Sequence, residues 1–329
     1  MKIYLAGDSL VQDYTDEEFI AGWGQYLKQM ACNDCEVINM AKGGRSSRLF
    51  INEGRFDKIN DNIQKGDYLL IEFCHNDDNS KEYRTMFNRL VSLGQPDSNG
   101  RYPLIPGELV DKTYIPKEYI NALYADNNIK DKQAVIDSVL NMLSEYPHEK
   151  YYPYSSDGSK GTYKWFLKQY VDMAREHGAI PVIVTAVART VFNDDGKLKD
   201  GAGLHGGNKF SYIRAAKQLA IECNVPLIDL FEASKALFEK IGQANIHYLM
   251  SIKKGINKGI WPDDFDIEMK KKDTISEDTH LNKYGAYLIT KELVRLIMES
   301  DNKELEALKN HINQDIKPVD KPEKLRVMK

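Results

Sequence analysis

Apolar positions along the chain gather into short unbroken runs separated by longer amphipathic stretches. The runs are "KIYLAG" at the start, "CEVINMA", "GDYLLIEF", "AIPVIVTAV" and "NVPLIDLF". Each has strand length, and the later ones are rich in Val, Ile and Leu, as strands buried on both faces should be. Between them apolar residues recur at helical spacing. "AGWGQYLKQMA" follows the first run, and a polar–apolar stretch through Ile63 follows the second. Tyr163, Phe166, Leu167, Tyr170, Val171 and Ala174 precede the fourth run, and Tyr212, Ala215, Ala216, Leu219 and Cys223 precede the fifth. Ile289, Leu293, Leu296 and Ile297 mark a last helix. Strand alternating with helix predicts an α/β protein: a three-layer α/β/α sandwich around a central parallel five-stranded sheet of flavodoxin-like order.

Two segments break the alternation. Residues 79–160 hold no convincing strand and are rich in Tyr, Pro and Asn, with one helical pattern near Lys132 to Leu143. That is too long for a plain connection and is expected to be an insertion, a lid or substrate wall as readily as a decoration. From Asp301 the chain is charged and ends in "IKPVDKPEKLRVMK", a C-terminal extension over 301–329. The expected organisation is therefore one domain over 1–300 carrying the insertion, followed by that extension.

Composition narrows the partners. With 42% hydrophobic and 29% charged residues among 329, and a net charge of −4, the chain has an ordinary globular make-up without the basic footprint of a nucleic-acid binder. No apolar run approaches the roughly 20 residues that span a bilayer. The start lacks a signal-peptide pattern, so a cytoplasmic location is the expectation. Four cysteines make no disulfide framework. Cys32 and Cys35 form a C-x-x-C, but without matched partners for zinc they are expected to be ordinary thiols. No metal or cofactor is called for.

Chemistry collects where the predicted strands end, the edge at which open parallel sheets bind ligands. The first run ends in "GDSL", delivering Ser9; the second in "NMAKGGRSSRLF", delivering Asn39, Gly43 and Gly44; the third in "EFCHND", delivering His75, Asn76 and Asp77. A hydroxyl, a glycine turn and a side-chain amide are what acyl transfer needs: a nucleophile, backbone N–H groups for an oxyanion, and a further donor. The hydroxyl also needs a base. Among the histidines, His148, His177 and His311 stand in charged or polar surroundings, while His205 and His247 could line a site. His75 and His280 both have acidic neighbours able to fix a tautomer, and chemistry alone does not choose between them. His280 stands in "ISEDTHLNKYGA", expected to be a loop feeding the last helix.

The ordered blocks "GDSL", "NMAKGG", "HND" and an acid shortly before "THLN" resemble the SGNH (GDSL) hydrolase superfamily. The strings "GWGQYL", "GGRSSRLFINEGRFDKI" and "GDYLLIEFCHND" are most similar to rhamnogalacturonan acetylesterases. The resemblance covers most of 1–77 and 160–298. It implies Ser9 as nucleophile, His280 as general base, and an oxyanion hole from the N–H groups of Ser9 and Gly44 with the Asn76 amide. His75 then becomes structural. Two positions depart from the pattern. Cys74 replaces the glycine usual before the histidine, and Glu277 stands where the family has an aspartate three residues before the base, with Asp278 one residue nearer. Glutamate serves as third member in other triads, so Glu277 is expected as the acid and Asp278 as the alternative.

Arg45, Arg48 and Arg189 are candidate substrate binders, because arginine forks suit the carboxylates of pectic sugars. Tyr151, Tyr152, Tyr154 and Trp261 could stack on sugar rings, though core or surface packing is the better explanation for them. The expected activity is a metal-free serine esterase acting on an acetylated, pectin-derived oligosaccharide. The alternatives are an esterase for other acetylated sugars, such as xylo-oligosaccharides, or for acyl thioesters, and a carbohydrate-binding protein with impaired catalysis.

Overall fold

The computed structural model describes residues 1–15, 20–78, 89–110, 117–137 except 126 and 128, 150–199 except 153, 211–252, 276–313 and 318–321. Five strands form one sheet: β1 (Lys2–Gly7), β2 (Glu36–Asn39), β3 (Tyr68–Glu72), β4 (Ile180–Val184) and β5 (Leu227–Ile228). Their order is β2-β1-β3-β4-β5 and every pairing is parallel. β1 pairs with β2 through Ile3 and Val37 and with β3 through Leu5 and Leu70. Every residue of β3 is buried, as are Ile3 to Gly7 of β1 and Pro181 to Val184 of β4. These strands carry no polar face because helices cover both sides of the sheet.

The helices form two packed groups. On one face are α1 (Trp23–Met30), α7 (Leu230–Ile241) and α8 (Lys283–Glu299). The other group comprises α2 (Ser47–Asn52), α3 (Arg55–Asn60), α5 (Tyr163–Glu176) and α6 (Ser211–Glu222). α4 (Lys117–Ala125) belongs to the region expected to be an insertion. Within that region the described part of the helical pattern near Lys132 is helical to Asp137, and the remainder to Leu143 lies outside the described residues.

Two expectations about local structure are corrected. The run "NVPLIDLF" is only briefly a strand. β5 stops at Ile228, Asp229 stands at the helix N-cap position, and Leu230 and Phe231 already belong to α7. An unbroken apolar run cannot distinguish a strand from the start of a buried helix. The second correction concerns His280, which lies in a strand and not in a loop. β7 (Ser276–Leu281) pairs antiparallel with β6 (Met250–Ile252), forming a two-stranded unit separate from the main sheet. Its pairing partner lies too far away in sequence for local pattern to reveal it.

Candidate active site

The order β2-β1-β3 places the switch in chain direction between β1 and β3, where ligands settle in such sheets. β1 ends at Gly7 beside Glu72 of β3, and the closeness is tight: a Cβ on Gly7 would lie 2.9 Å from the Glu72 carbonyl. Beyond Gly7 the backbone turns at once. Asp8 accepts the Gln12 N–H at its carbonyl (3.1 Å) and the Leu10 N–H at its carboxylate (2.9 Å). Ser9 rides on this turn, 8% exposed. The Tyr14 hydroxyl donates to its carbonyl at 3.0 Å.

The glycine turn after β2 closes against the same spot. Gly43 donates its N–H to Gln12 Oε1 at 2.5 Å. Gly44 has φ +81°, a left-handed conformation that disfavours any residue with a Cβ. Among the described residues, no internal acceptor takes the N–H of Ser9 or of Gly44, which leaves both for a ligand. Asn39 points elsewhere, donating to the Val11 carbonyl and to Asp13, each at 2.7 Å, so it fastens β2 to the segment that follows Ser9. Asn76, after β3, reaches back to both segments, donating to Asp8 Oδ2 (3.3 Å) and to the Arg45 carbonyl (3.2 Å).

The histidines separate cleanly. His280 Nε2 lies 3.0 Å from Ser9 Oγ, across 271 residues of chain. With its proton on Nδ1, the imidazole accepts the serine hydroxyl hydrogen there. His75 is buried, and its Nε2 meets the Val187 carbonyl at 2.9 Å, tying the end of β3 to the segment after β4. His247 packs on Tyr248. His205 and Trp261 lie outside the described residues.

The imidazole is placed by its neighbours in the chain. Leu281 pairs with Met250, and its carbonyl accepts the Ala21 N–H at 2.9 Å. Asn282 caps α8 by accepting the Gly285 N–H (2.9 Å) and donates to the Tyr248 carbonyl (2.8 Å). Before His280, the Asp278 carbonyl accepts the Thr190 N–H at 2.8 Å. The Asp278 carboxylate pairs with Arg189 and accepts the Thr279 hydroxyl (2.9 Å). The Glu277 backbone belongs to β7, but its side chain lies outside the described residues.

The arginines named from the sequence have carboxylates close by. Arg45 grips Glu53 through Nε (2.8 Å) and Nη2 (2.7 Å) and donates to the Gly43 carbonyl (2.8 Å), so it braces the glycine turn. Arg48 is buried near Asp77 and draws that carboxyl's pKa downward. Arg189 engages Asp278. Of the aromatics, Tyr151 packs edge-on against Trp165 and Phe166.

Beneath the site lies a set of buried carboxyls. Asp77 accepts the Ser47 hydroxyl at 2.5 Å and the Ser47 N–H at 3.0 Å, joining β3 to the start of α2. Burial pushes Asp77 up to about 7 and Asp8 up to about 6, against the hydrogen bonds that favour their ionised forms. Glu72 is raised well above the usual carboxylate range by burial and by Asp8 and Asp77, with the Val187 N–H pulling the other way. Cys74 is fully buried, and burial together with Asp78, Asp77 and Glu72 pushes its thiol up. Among the described residues no group of three or more His, Cys, Asp or Glu side chains is arranged to hold a metal ion.

Sequence reasoning missed Gln12, Tyr14 and Arg89. The first two follow Ser9 by three and five residues, a signal available in "DSLVQDY". Arg89 Nη1 lies 3.4 Å from Asn76 Oδ1, a meeting no local pattern announces.

A serine on a β1 turn, a histidine near the C-terminal helix and donors from the next two strand ends define an SGNH hydrolase in a three-layer α/β/α fold. No protein-family model matches the chain. The chain is 32% identical over 255 residues to the probable rhamnogalacturonan acetylesterase YesY of Bacillus subtilis, covering 78% of this chain and 82% of that one. It is 28% identical to the rhamnogalacturonan acetylesterase RhgT of the same organism, covering 95% and 94%. Among solved structures, the Bacillus subtilis protein YxiM superposes with a TM-score of 0.53 at 20% identity, over 90% of this chain and 56% of that one. The chain belongs to the rhamnogalacturonan acetylesterase family of SGNH hydrolases and is a carboxylic ester hydrolase.

Proposed function

We propose that the protein removes O-acetyl groups from pectin-derived, rhamnogalacturonan-type oligosaccharides through an acyl-enzyme on Ser9. The observation that carries the chemistry is the 3.0 Å separation of Ser9 Oγ and His280 Nε2. The pectic substrate is supported by the activities for which the two Bacillus subtilis acetylesterases are named.

Ser9 Oγ attacks the acetyl carbonyl carbon while its proton passes to His280 Nε2. The carbonyl oxygen becomes an oxyanion facing the N–H groups of Ser9 and Gly44 and the Asn76 amide. Collapse breaks the bond to the sugar oxygen, which takes the proton from His280. Water then attacks the acetyl-serine, giving its proton to His280, and acetate leaves as Ser9 recovers its hydrogen. Glu277 is the acid that orients His280 in this reading, because Arg189 already engages the Asp278 carboxylate.

Release of p-nitrophenol from its acetate by wild type and not by Ser9→Ala tests the acyl-enzyme. Equal inertness of the two with retained sugar binding would instead favour a binding protein. A panel of acetylated pectic oligosaccharides, acetylated xylo-oligosaccharides and acyl-CoA tests the substrate, and preference for either of the last two would overturn the pectic assignment. Asn76→Ala is expected to lower turnover roughly 100- to 1000-fold, the usual cost of one oxyanion donor.

A further inference from the structure

Arg89 is a charged group at this site that the acyl-transfer scheme leaves without a role. Its guanidinium touches both donors that Ser9 does not itself provide. Nη1 lies 3.4 Å from Asn76 Oδ1. The same group occupies the space that a side chain on Gly44 would need, since a Cβ there would lie 2.7 Å from Nη2 and 2.9 Å from Cζ. Its charge also reaches Asp8, the residue before the nucleophile, and lowers that carboxyl's pKa. One half-buried planar cation therefore lies against Asn76 after β3 and Gly44 after β2, and its charge acts on Asp8 after β1.

This placement has a physical consequence. The terminal torsion of an asparagine is broad and nearly two-fold, so its amide plane is poorly fixed by rotamer preference alone. A donor on Oδ1 selects one orientation and directs Nδ2 away from itself. Packing of the guanidinium on Gly44 likewise limits how far that peptide can move. Preorganised donors stabilise an oxyanion because they need no reorientation during reaction. We infer that Arg89 is a positioning residue of the oxyanion hole, holding the Asn76 amide and the Gly44 peptide in their donating orientation. The inference rests on the acyl-enzyme reading at Ser9.

The test is a double-mutant cycle of Arg89→Met with Asn76→Ala, assayed on neutral p-nitrophenyl acetate and on an acetylated galacturonate-containing oligosaccharide. Arg89→Met is expected to lower kcat about 10- to 100-fold on both substrates with KM within about twofold, less than the loss of a whole donor. Arg89→Lys should recover part of that loss. In the Asn76→Ala background the further loss should shrink to about threefold or less, because groups acting as a unit are non-additive. An undiminished loss in that background would overturn the inference, as would unchanged kcat on both substrates. A raised KM confined to the acidic oligosaccharide would also overturn it, making Arg89 a reader of substrate carboxylate. Should Arg89→Met fail to fold, Arg89→Gln and Arg89→Lys carry the same cycle. Failure of the acyl-enzyme reading shows separately, as wild-type turnover that Ser9→Ala does not reduce.

Discussion

The two halves of the proposed Ser9–His280 pair stand on very different ground. Ser9 sits on a turn at the end of a strand paired on both sides, where Asn76, the glycine turn and the buried carboxyls knit three strand ends together. His280 sits on a two-stranded unit outside the main sheet, fixed by its neighbours Asp278, Leu281 and Asn282. Ser9 is thus part of the core's own architecture, whereas His280 is delivered to it by an appendage clamped on either side. Changes on the first half should disturb folding and chemistry together. Changes on the second should separate them.

The largest effect expected from this contrast is at His280. Replacing it with alanine should lower kcat by about 10⁴-fold or more, as Ser9→Ala should, because members of a catalytic unit fail together. The thermal midpoint of His280→Ala should stay within about two degrees of wild type in a melting experiment. A large drop would mean that the imidazole holds the hairpin in place. A smaller effect sharpens the picture within the hairpin. Glu277→Gln should reduce kcat about 10- to 100-fold more than Asp278→Asn, whose carboxylate Arg189 and Thr279 engage. The reverse order would assign the triad acid to Asp278.

The smallest effect lies under the nucleophile and is read in stability. Asp77 has its folded pKa raised to about 7 by burial, from an ordinary value near 4. The folded state therefore keeps a proton that the unfolded chain has lost, and stability falls as pH rises between those values. Relative to wild type, Asp77→Asn should gain thermal midpoint on going from about pH 4 to about pH 7. A constant difference across that range would show that folding leaves the Asp77 pKa unraised.

What the sequence revealed divides along the same line. β1, β3 and β4 were legible because strands buried on both faces write their burial as continuous apolar runs, and Ser9 and Asn76 follow the first two of those runs directly. The short β5 was overread because an edge strand and a buried helix start share one hydrophobic string. The strand beneath His280 was invisible, since β6 and β7 are joined by a long stretch of chain and only tertiary pairing brings them together. For the same reason the sequence could nominate Arg45 and Arg189 as ligand-binding forks but not show Glu53 or Asp278 beside them. Arg89 was missed because its significance comes entirely from where it lands.

Cys74 gives the molecule a reporter of its own. The thiol is one residue before His75 and two before Asn76, sealed from solvent and held in its unreactive protonated form. A thiol reagent can reach it only when the end of β3 lifts from its packing, whereas the less buried Cys32 and Cys223 are accessible without such an event. Because Cys35 is buried as well, alkylation followed at Cys74 itself by peptide mass spectrometry times local opening at the end of β3 in the native protein, with no label to introduce.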